Sequence, residues 1–554
     1  MRKYINDAIN EYVDEPYSPW HMPGHKRKME MDPLFILDFS EVPGLDDLHH
    51  PEDVIKKSEE ELRRVYGTEH SFYLVNGSTA GILAAIHASV ELKAREIHDS
   101  ENSGEPFKRD YSDIKVIMGR NCHKSVYNAI ELLGVEPLYL TPDEVQHESP
   151  VEEVSDDIVL EDYIYIGGAV RNLNELKYIC SNDISHIACA VITSPTYEGF
   201  FADVKSISSL LHGYGIPLIV DEAHGAHLPF SERFGESALA EGADIVIESL
   251  HKTLPSLTQT AVVHVAMNSI FDADSEINGG TQPVDRSGES GIVGKIRKYL
   301  RMFESSSPSY ILLAGMERCV AWCDAHRENF ETFYERVSSF RERVYESDLR
   351  HVQLVKNKES APLDISRLTF MIDGITGEEA YSILNDRYKI VPEMSGTNYL
   401  VFISTVVDTD EDFNRLYKGL ISLEDEIKIA IEKKGSESSG VDNGNNNYSE
   451  NNINNGNADR SGSTNINGST NINSNTERNV NTYSNSAAAS IDEYIIETES
   501  GVMPLSRSVG EVSRDSIYVY PPGIPIVAVG DTITEGMLYD LDVFMRLGKK
   551  LRKQ

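Results

Sequence analysis

Between Ser58 and Ala266, short runs of β-branched, aliphatic and aromatic residues alternate with longer stretches in which apolar positions recur every three or four residues. The short runs predict buried strands at Phe72–Val75, Lys115–Met118, Ala188–Thr193, Pro217–Val220, Asp244–Ile247 and Ala261–Val265. Helices are predicted between them, over Gly81–Ile97 and Ser206–Tyr214. Strand and helix in alternation imply an α/β domain with a mainly parallel sheet. Ligands of such sheets bind beyond the strand C-termini, so functional residues are expected just after these runs. From Ala314 to Lys434 the pattern is mostly helical, interrupted by strands at Arg367–Ile372 and Tyr399–Ser404 and a strand-like run at Tyr388–Val391. This part predicts a smaller α+β domain.

The pattern breaks down after Lys434. Asn, Ser, Gly and Thr dominate as far as Ser490, with too few apolar residues to offset the entropy of ordering, so this segment is expected to be a disordered linker or insertion. His98–Ser112 and the acidic Asp143–Asp157 read as loop insertions. Ordered composition returns near the end, where a turn at Pro521–Pro525 precedes a helical, basic tail. The chain therefore divides into an N-terminal segment (1–57), a large domain (58–313), a small domain (314–434), the polar segment (435–490) and a C-terminal region (491–554).

Composition narrows the function. The 554 residues carry 51 Lys and Arg against 89 Asp and Glu, a net charge of −38. Such a surface repels phosphate backbones and argues against a nucleic-acid partner; it could concentrate cationic small molecules, or serve only solubility. No apolar run is long enough to span a bilayer, and the first twenty residues lack the apolar core of a secretory signal. The five cysteines form no CxxC pair and no metal spacing, as expected of free thiols in a cytoplasmic protein without a metal site.

Four clusters follow predicted strands. Asn76-Gly77-Ser78-Thr79-Ala80-Gly81 puts hydroxyls and small residues at a helix N-terminus, where free N–H groups and the dipole suit a phosphate. Arg120-Asn121-Cys122-His123-Lys124-Ser125 offers an imidazole able to lie on a pyridine ring, and a cysteine read as a buried thiol. Asp221-Glu222-Ala223-His224-Gly225-Ala226-His227 places a carboxylate where a ring nitrogen could be kept protonated. Ser249-Leu250-His251-Lys252-Thr253 supplies a lysine able to form a Schiff base. Each alone has an ordinary explanation: a helix cap, a structural histidine, a capping aspartate, a loop lysine. DEAH also evokes a helicase box, but that needs an upstream GxxxxGK[ST] loop, and the nearest stretch, Gly119–Ser125, lacks the second glycine. Together, and in this order, the four clusters suit pyridoxal phosphate.

The chain resembles the fold-type-I pyridoxal-phosphate decarboxylases of the ornithine/lysine/arginine family, in a compact form without an N-terminal wing domain. The matching stretches are Pro23–Arg27, Gly44–Glu52, Leu74–Gly81, Arg120–Val126, Ser194–Gly199, Asp221–His227, Ser249–Gln259, Ser305–Tyr310 and Tyr520–Pro525. Lys28 departs from the pattern, where a glycine is expected. The resemblance implies a transferase-like large domain with a mainly parallel sheet and a smaller α+β C-terminal domain. It implies that Lys252 carries the cofactor, that Asp221 pairs with the ring nitrogen and that His123 stacks on the ring. Ser78, Thr79, Ser249 and His251 would gather around the phosphate, with His224 nearby. Ser305, Ser306 and Ser307 would reach the phosphate of a neighbouring subunit, making a homodimer the smallest active unit.

The expected reaction is decarboxylation of a basic amino acid, with Lys252 or His251 returning a proton to Cα. Glu393 is a candidate for the distal cation of the substrate, although a surface glutamate would look the same. The residues do not choose among lysine, arginine and ornithine, and leave polyamine biosynthesis and acid resistance both open. Transamination, β-elimination and a non-catalytic regulatory homologue remain alternatives; retention of Lys252 argues against the last.

Overall fold

The computed structural model describes residues 1–14, 36–101, 106–143, 168–182, 184–267, 269–271, 291–438, 491, 494–519, 524–546 and 551–553. Pro23–Arg27, Lys28, Tyr520–Gly523, most of the acidic stretch and nearly all of the Asn-rich segment lie outside these residues. Helices α1 (Tyr4–Asp14) and α2 (Val54–Tyr66) precede the large domain. There the strands are β1 (His70–Leu74), β2 (Lys115–Gly119), β3 (Glu136–Leu140), β4 (Ile187–Thr193), β5 (Leu218–Asp221), β6 (Ile245–Glu248) and β7 (Ala261–Val265). The helices between and after them are α3 (Gly77–Glu101), α4 (Lys124–Leu133), α5 (Leu173–Asn182), α6 (Val204–His212), the single turn α7 (Leu250–Thr253) and α8 (Gly291–Phe303).

The seven strands lie in the order β1-β7-β6-β5-β4-β2-β3. The five from β6 to β3 are parallel, and β7 runs antiparallel to both of its neighbours, β6 and β1. β1 therefore points the same way as the parallel set, and the loops after β1, β2, β4, β5 and β6 share one edge. Alternation within the strands explains the layers. Val116 and Met118 of β2 join a core with α3, α4 and α8, whereas Ile117 between them joins a core with α5 and α6. α3 crosses very near the sheet: a Cβ on Gly81 would stand 2.7 Å from Leu74 Cδ1 and 3.2 Å from Ile247 Cγ2, so a larger residue there would push these side chains aside.

The small domain contains α9 (Tyr310–Ala325), α10 (Arg327–Tyr345), β8 (Val352–Leu354), β9 (Arg367–Ile372), α11 (Gly377–Ile383), β10 (Met394–Ser395), β11 (Tyr399–Ile403) and α12 (Asp410–Ser438). Its antiparallel sheet has the order β10-β11-β9-β8. The C-terminal region forms β12 (Ile495–Thr498), β13 (Gly501–Pro504), β14 (Ile517–Val519), β15 (Ile524–Val527), α13 (Glu535–Arg546) and β16 (Leu551–Lys553) around its own small core. It docks on the large domain through Arg120, which donates to Ile526 O (3.2 Å) and Asp531 Oδ2 (2.6 Å).

The predicted strands of the large domain are all present, with ends moved by two residues at most. Three expectations need correction. The helix expected at Gly81 begins at Gly77, so Ser78 and Thr79 lie inside its first turn and not ahead of it. Tyr388–Val391 is not a strand: a helical turn runs through Tyr388, and Lys389 closes it in the left-handed conformation at φ 56°. The helix expected in the C-terminal tail is present at Glu535–Arg546, but Leu551–Lys553 beyond it form strand β16. The divisions drawn at 57/58, 313/314 and 434/435 fall inside α2, α9 and α12.

Candidate active site

The loop after β1 makes the anion cup. Gly77, at φ 74°, turns the chain into α3, and Ser78 and Thr79 stand half-buried in its first turn, where backbone N–H groups lack helical partners. The cup is anchored from behind: Glu304 Oε1 accepts from Val75 N (2.8 Å) and Asn76 N (3.2 Å), and Asn76 Nδ2 donates to Phe303 O (3.1 Å). Burial pushes the Glu304 carboxyl up to about 7. Ser249 and Thr253, on either side of Lys252, are buried, and neither hydroxyl finds a partner among the described residues. Unpaired buried hydroxyls are costly and point to a ligand.

Lys252 lies in α7, directly beyond β6. Burial lowers its pKa, Asp221 and Glu393 oppose that, and Arg367 reinforces it. Lys252 Nζ lies 3.1 Å from His224 Nε2. Asp221 ends β5, is buried, and accepts from Ala223 N at 3.2 Å. Burial raises its pKa while Lys252 pulls the other way. His123 caps α4, its Nδ1 facing Ser125 N (3.3 Å) and Ser125 Oγ (2.9 Å). Burial and Lys252 bring it down to about 4, which keeps the ring neutral. His251 Nδ1 lies 2.9 Å from Thr260 O; a carbonyl only accepts, so Nδ1 carries the proton and Nε2 the lone pair. Cys122 is a buried thiol as expected, pushed up to about 12 by burial.

Lys252, Asp221, His123 and His224 thus form one electrostatically linked group at the shared sheet edge, with Ser249 and His251 in the lysine turn. Ser305, Ser306 and Ser307 differ: they follow α8 with exposed side chains, and the carbonyl of Ser305 meets His49 Nε2 at 2.8 Å.

Four further residues border this group, from β9, the loop after β4 and the stretch before β10. Arg367 is fully buried, with Nη2 3.1 Å from His224 Nδ1. The Tyr197 ring meets His224 edge-on at 4.7 Å, and its hydroxyl bonds Glu393 Oε1. Glu198 is buried and accepts from Tyr399 OH at 3.1 Å. Glu393 is thus turned towards the lysine although its surface is largely open. Arg367 left one trace in the sequence: a charged residue opening an otherwise apolar strand, a position rarely buried without a reason.

Residues 5–102 and 110–370 match the family model described as Orn/Lys/Arg decarboxylase, major domain. The chain belongs to the Orn/Lys/Arg decarboxylase family. Relatives include an uncharacterized protein, YaaO, of Bacillus subtilis, 30% identical over 415 residues that make up 73% of this chain and 74% of the relative. An arginine decarboxylase of Halalkalibacterium halodurans is 26% identical over 543 residues, 94% of this chain and 88% of the relative. Among solved structures, the constitutive lysine decarboxylase of E. coli superposes with a TM-score of 0.64 at 17% identity, over 100% of this chain and 80% of that one. The fold is the one expected: an α/β large domain of the fold-type-I class. Among the described residues there is no metal-binding group of His, Cys, Asp and Glu, and no helix long and apolar enough to cross a membrane.

Behind this group, Glu222 follows Asp221 and Glu248 precedes Ser249, both buried without a cation among the described residues. Burial pushes Glu248 up to about 8, and burial together with Glu248 holds Glu222 well above its usual range; Tyr66 and Glu241 also face the pair. The folded protein keeps protons that the unfolded chain releases above 4.5, so stability falls as pH rises from there through about 8. The slope is about 1.4 kcal/mol per pH unit for each such proton. Glu248→Gln should flatten this decline in urea-melt series between pH 5 and pH 9 (roughly the span of maximal stability and just beyond); an unchanged slope refutes the protonated pair.

Proposed function

We propose that the protein is a pyridoxal-phosphate-dependent decarboxylase of a basic amino acid, lysine, arginine or ornithine, releasing the amine and CO2. The observation that carries this reading is a buried lysine turn, flanked by the partnerless hydroxyls of Ser249 and Thr253, facing a buried carboxylate at Asp221. These residues fit the cofactor. Bound there, it supplies an electron sink for the pair left behind when the Cα–carboxylate bond breaks. Lys252 holds the cofactor's aldehyde carbon, and Asp221 holds a proton at the ring nitrogen. His123 offers a neutral ring face. Ser78, Thr79, Ser249, Thr253 and His251 surround the phosphate. Lys252 returns a proton to Cα, with His251 the second candidate.

Glu393 takes the distal cation of the substrate. Its carboxylate is ringed by Tyr197, Lys252 and Arg367, which turns a position that looks like ordinary surface into part of the site. Glu393→Gln should raise KM for the preferred amino acid about 10- to 100-fold, the weight of one charge-assisted hydrogen bond, with a smaller change in kcat. Unchanged KM for every basic substrate would remove Glu393 from the site. The exposed Ser305–Ser307 reach the partner's phosphate in a homodimer or larger homo-oligomer of a cytoplasmic enzyme.

The deciding experiment incubates purified protein, supplied with pyridoxal phosphate, with lysine, arginine and ornithine, and measures CO2 and amine. Equal yields of both from one substrate are expected. A keto acid without CO2 would mean transamination, and no product from any of the three would overturn the reading.

A further inference from the structure

Arg367 reaches the lysine from the small domain, and the loop after β4 makes room for it. Gly199 sits at φ 104°, and a Cβ there would stand 2.6 Å from Arg367 Cβ. Among the described residues the guanidinium has one partner: Nη2 meets His224 Nδ1 at 3.1 Å, while Nε and Nη1 are buried without one. Arginine has only donors and stays charged, so it fixes the direction of that bond: Nδ1 accepts. The neutral imidazole must then carry its proton on Nε2. Nε2 is the atom 3.1 Å from Lys252 Nζ. An ammonium there would set donor against donor; only the uncharged amine has a lone pair to accept Nε2–H.

We propose that Arg367 is a positioning residue: it fixes the Nε2–H tautomer of His224 and thereby holds Lys252 as the neutral, nucleophilic amine. This rests on the reading of Lys252 as the cofactor lysine. The surroundings agree. Lys252 faces Asp221 and Glu393, which favour the ammonium, and Arg367, which opposes it; burial, reinforced by Arg367, outweighs the two carboxylates and lowers its pKa. His224 faces Lys252, Arg367, His123 and His251, every one of which disfavours an imidazolium, and the Tyr197 ring lies at its edge. Burial lowers the Arg367 pKa from its ordinary value while Asp364, Tyr197, Glu393 and Glu198 support the cation, and a guanidinium starts so far above neutrality that it stays charged. The step served is condensation with the cofactor's aldehyde. The Nζ lone pair bonds to the aldehyde carbon, the carbon–oxygen bond breaks, and the oxygen leaves as water with both amine hydrogens.

The test mixes cofactor-free protein with pyridoxal phosphate across a pH series and follows the absorbance of the lysine-bound cofactor. In Arg367→Met the midpoint of the rate profile should move up by about one unit, a roughly tenfold loss near neutral pH. Arg367→Lys, which also can only donate when charged, should restore much of the wild-type profile. Superimposable profiles for wild type and Arg367→Met overturn the proposal. Lys252→Ala serves as the control: if it still gains the absorbance, the assignment of Lys252 fails, independently of Arg367. A second measurement needs no Arg367 variant. In nitrogen NMR of the wild-type protein, assigned against His224→Phe, the His224 Nδ1 resonance should be that of an unprotonated nitrogen, and a protonated Nδ1 overturns the proposal.

Discussion

Lys252→Ala should yield a folded protein that gains none of the absorbance of lysine-bound pyridoxal phosphate and has lost decarboxylation by on the order of 10⁴-fold. Two functions disappear together, the covalent hold on the cofactor and the proton returned to Cα, and no other lysine among the groups facing Asp221 and His224 can replace it. The fold itself should tolerate the change. Lys252 sits in a single helical turn, alanine favours that conformation, and removing a buried amine removes a desolvation cost. The melting temperature of the cofactor-free variant should therefore equal or exceed that of the wild type. Lys252→Arg sharpens the test, because a guanidinium keeps the positive charge but cannot condense with an aldehyde. Full activity in either variant would assign the chemistry to another residue.

The residues proposed to hold the cofactor could be singled out in the sequence because each depends on local structure. Asp221, Lys252, His123 and the Ser78–Thr79 pair each follow an apolar strand, and the parallel arrangement brings all those strand ends to one edge. Apolar run, turn and reactive side chain lie within a few residues of one another, so their relation survives without knowledge of the fold. On the substrate side the sequence offered Glu393 only as a candidate that an ordinary surface glutamate would match, and Arg367 not at all, for the opposite reason. Arg367 opens β9 and Glu393 precedes β10, and they meet His224 and Tyr197 only because the small domain closes against the large one. Interlocking backbone bonds fix that closure: Asp364 N donates to Gly199 O at 2.9 Å, and Thr369 Oγ1 donates to Glu198 O at 2.9 Å. Neither periodicity nor spacing encodes such a contact.

Local error had local causes. Gly77 lies ahead of the helix expected from Gly81, yet its positive φ is what turns the chain into the helix there. Tyr388–Val391 is rich in aromatic and β-branched residues, as strands are, while the left-handed Lys389 ends a helical turn within it. Ser305–Ser307 are exposed in the single chain, so the part proposed for them would require a second copy.

Asp221→Asn should lower decarboxylation by about 10²- to 10⁴-fold while leaving the lysine-bound cofactor in place. The substitution keeps shape and the acceptor for Ala223 N but removes the charge. A buried carboxylate can hold a proton at the ring nitrogen; a carboxamide cannot, and a ring without that proton draws electrons from the breaking bond far less well. Asp221 also bears on Lys252, where it is the foremost group favouring the ammonium. Its loss moves the lysine further towards the neutral amine, so the pH profile for capturing the cofactor should extend to lower pH. That shift is opposite in sign to the one expected for Arg367→Met. Slower decarboxylation with cofactor capture extended towards acid is therefore the signature of Asp221 acting both on the ring nitrogen and across the site on Lys252. If both rates fell together at every pH, Asp221 would have only a structural part in the site.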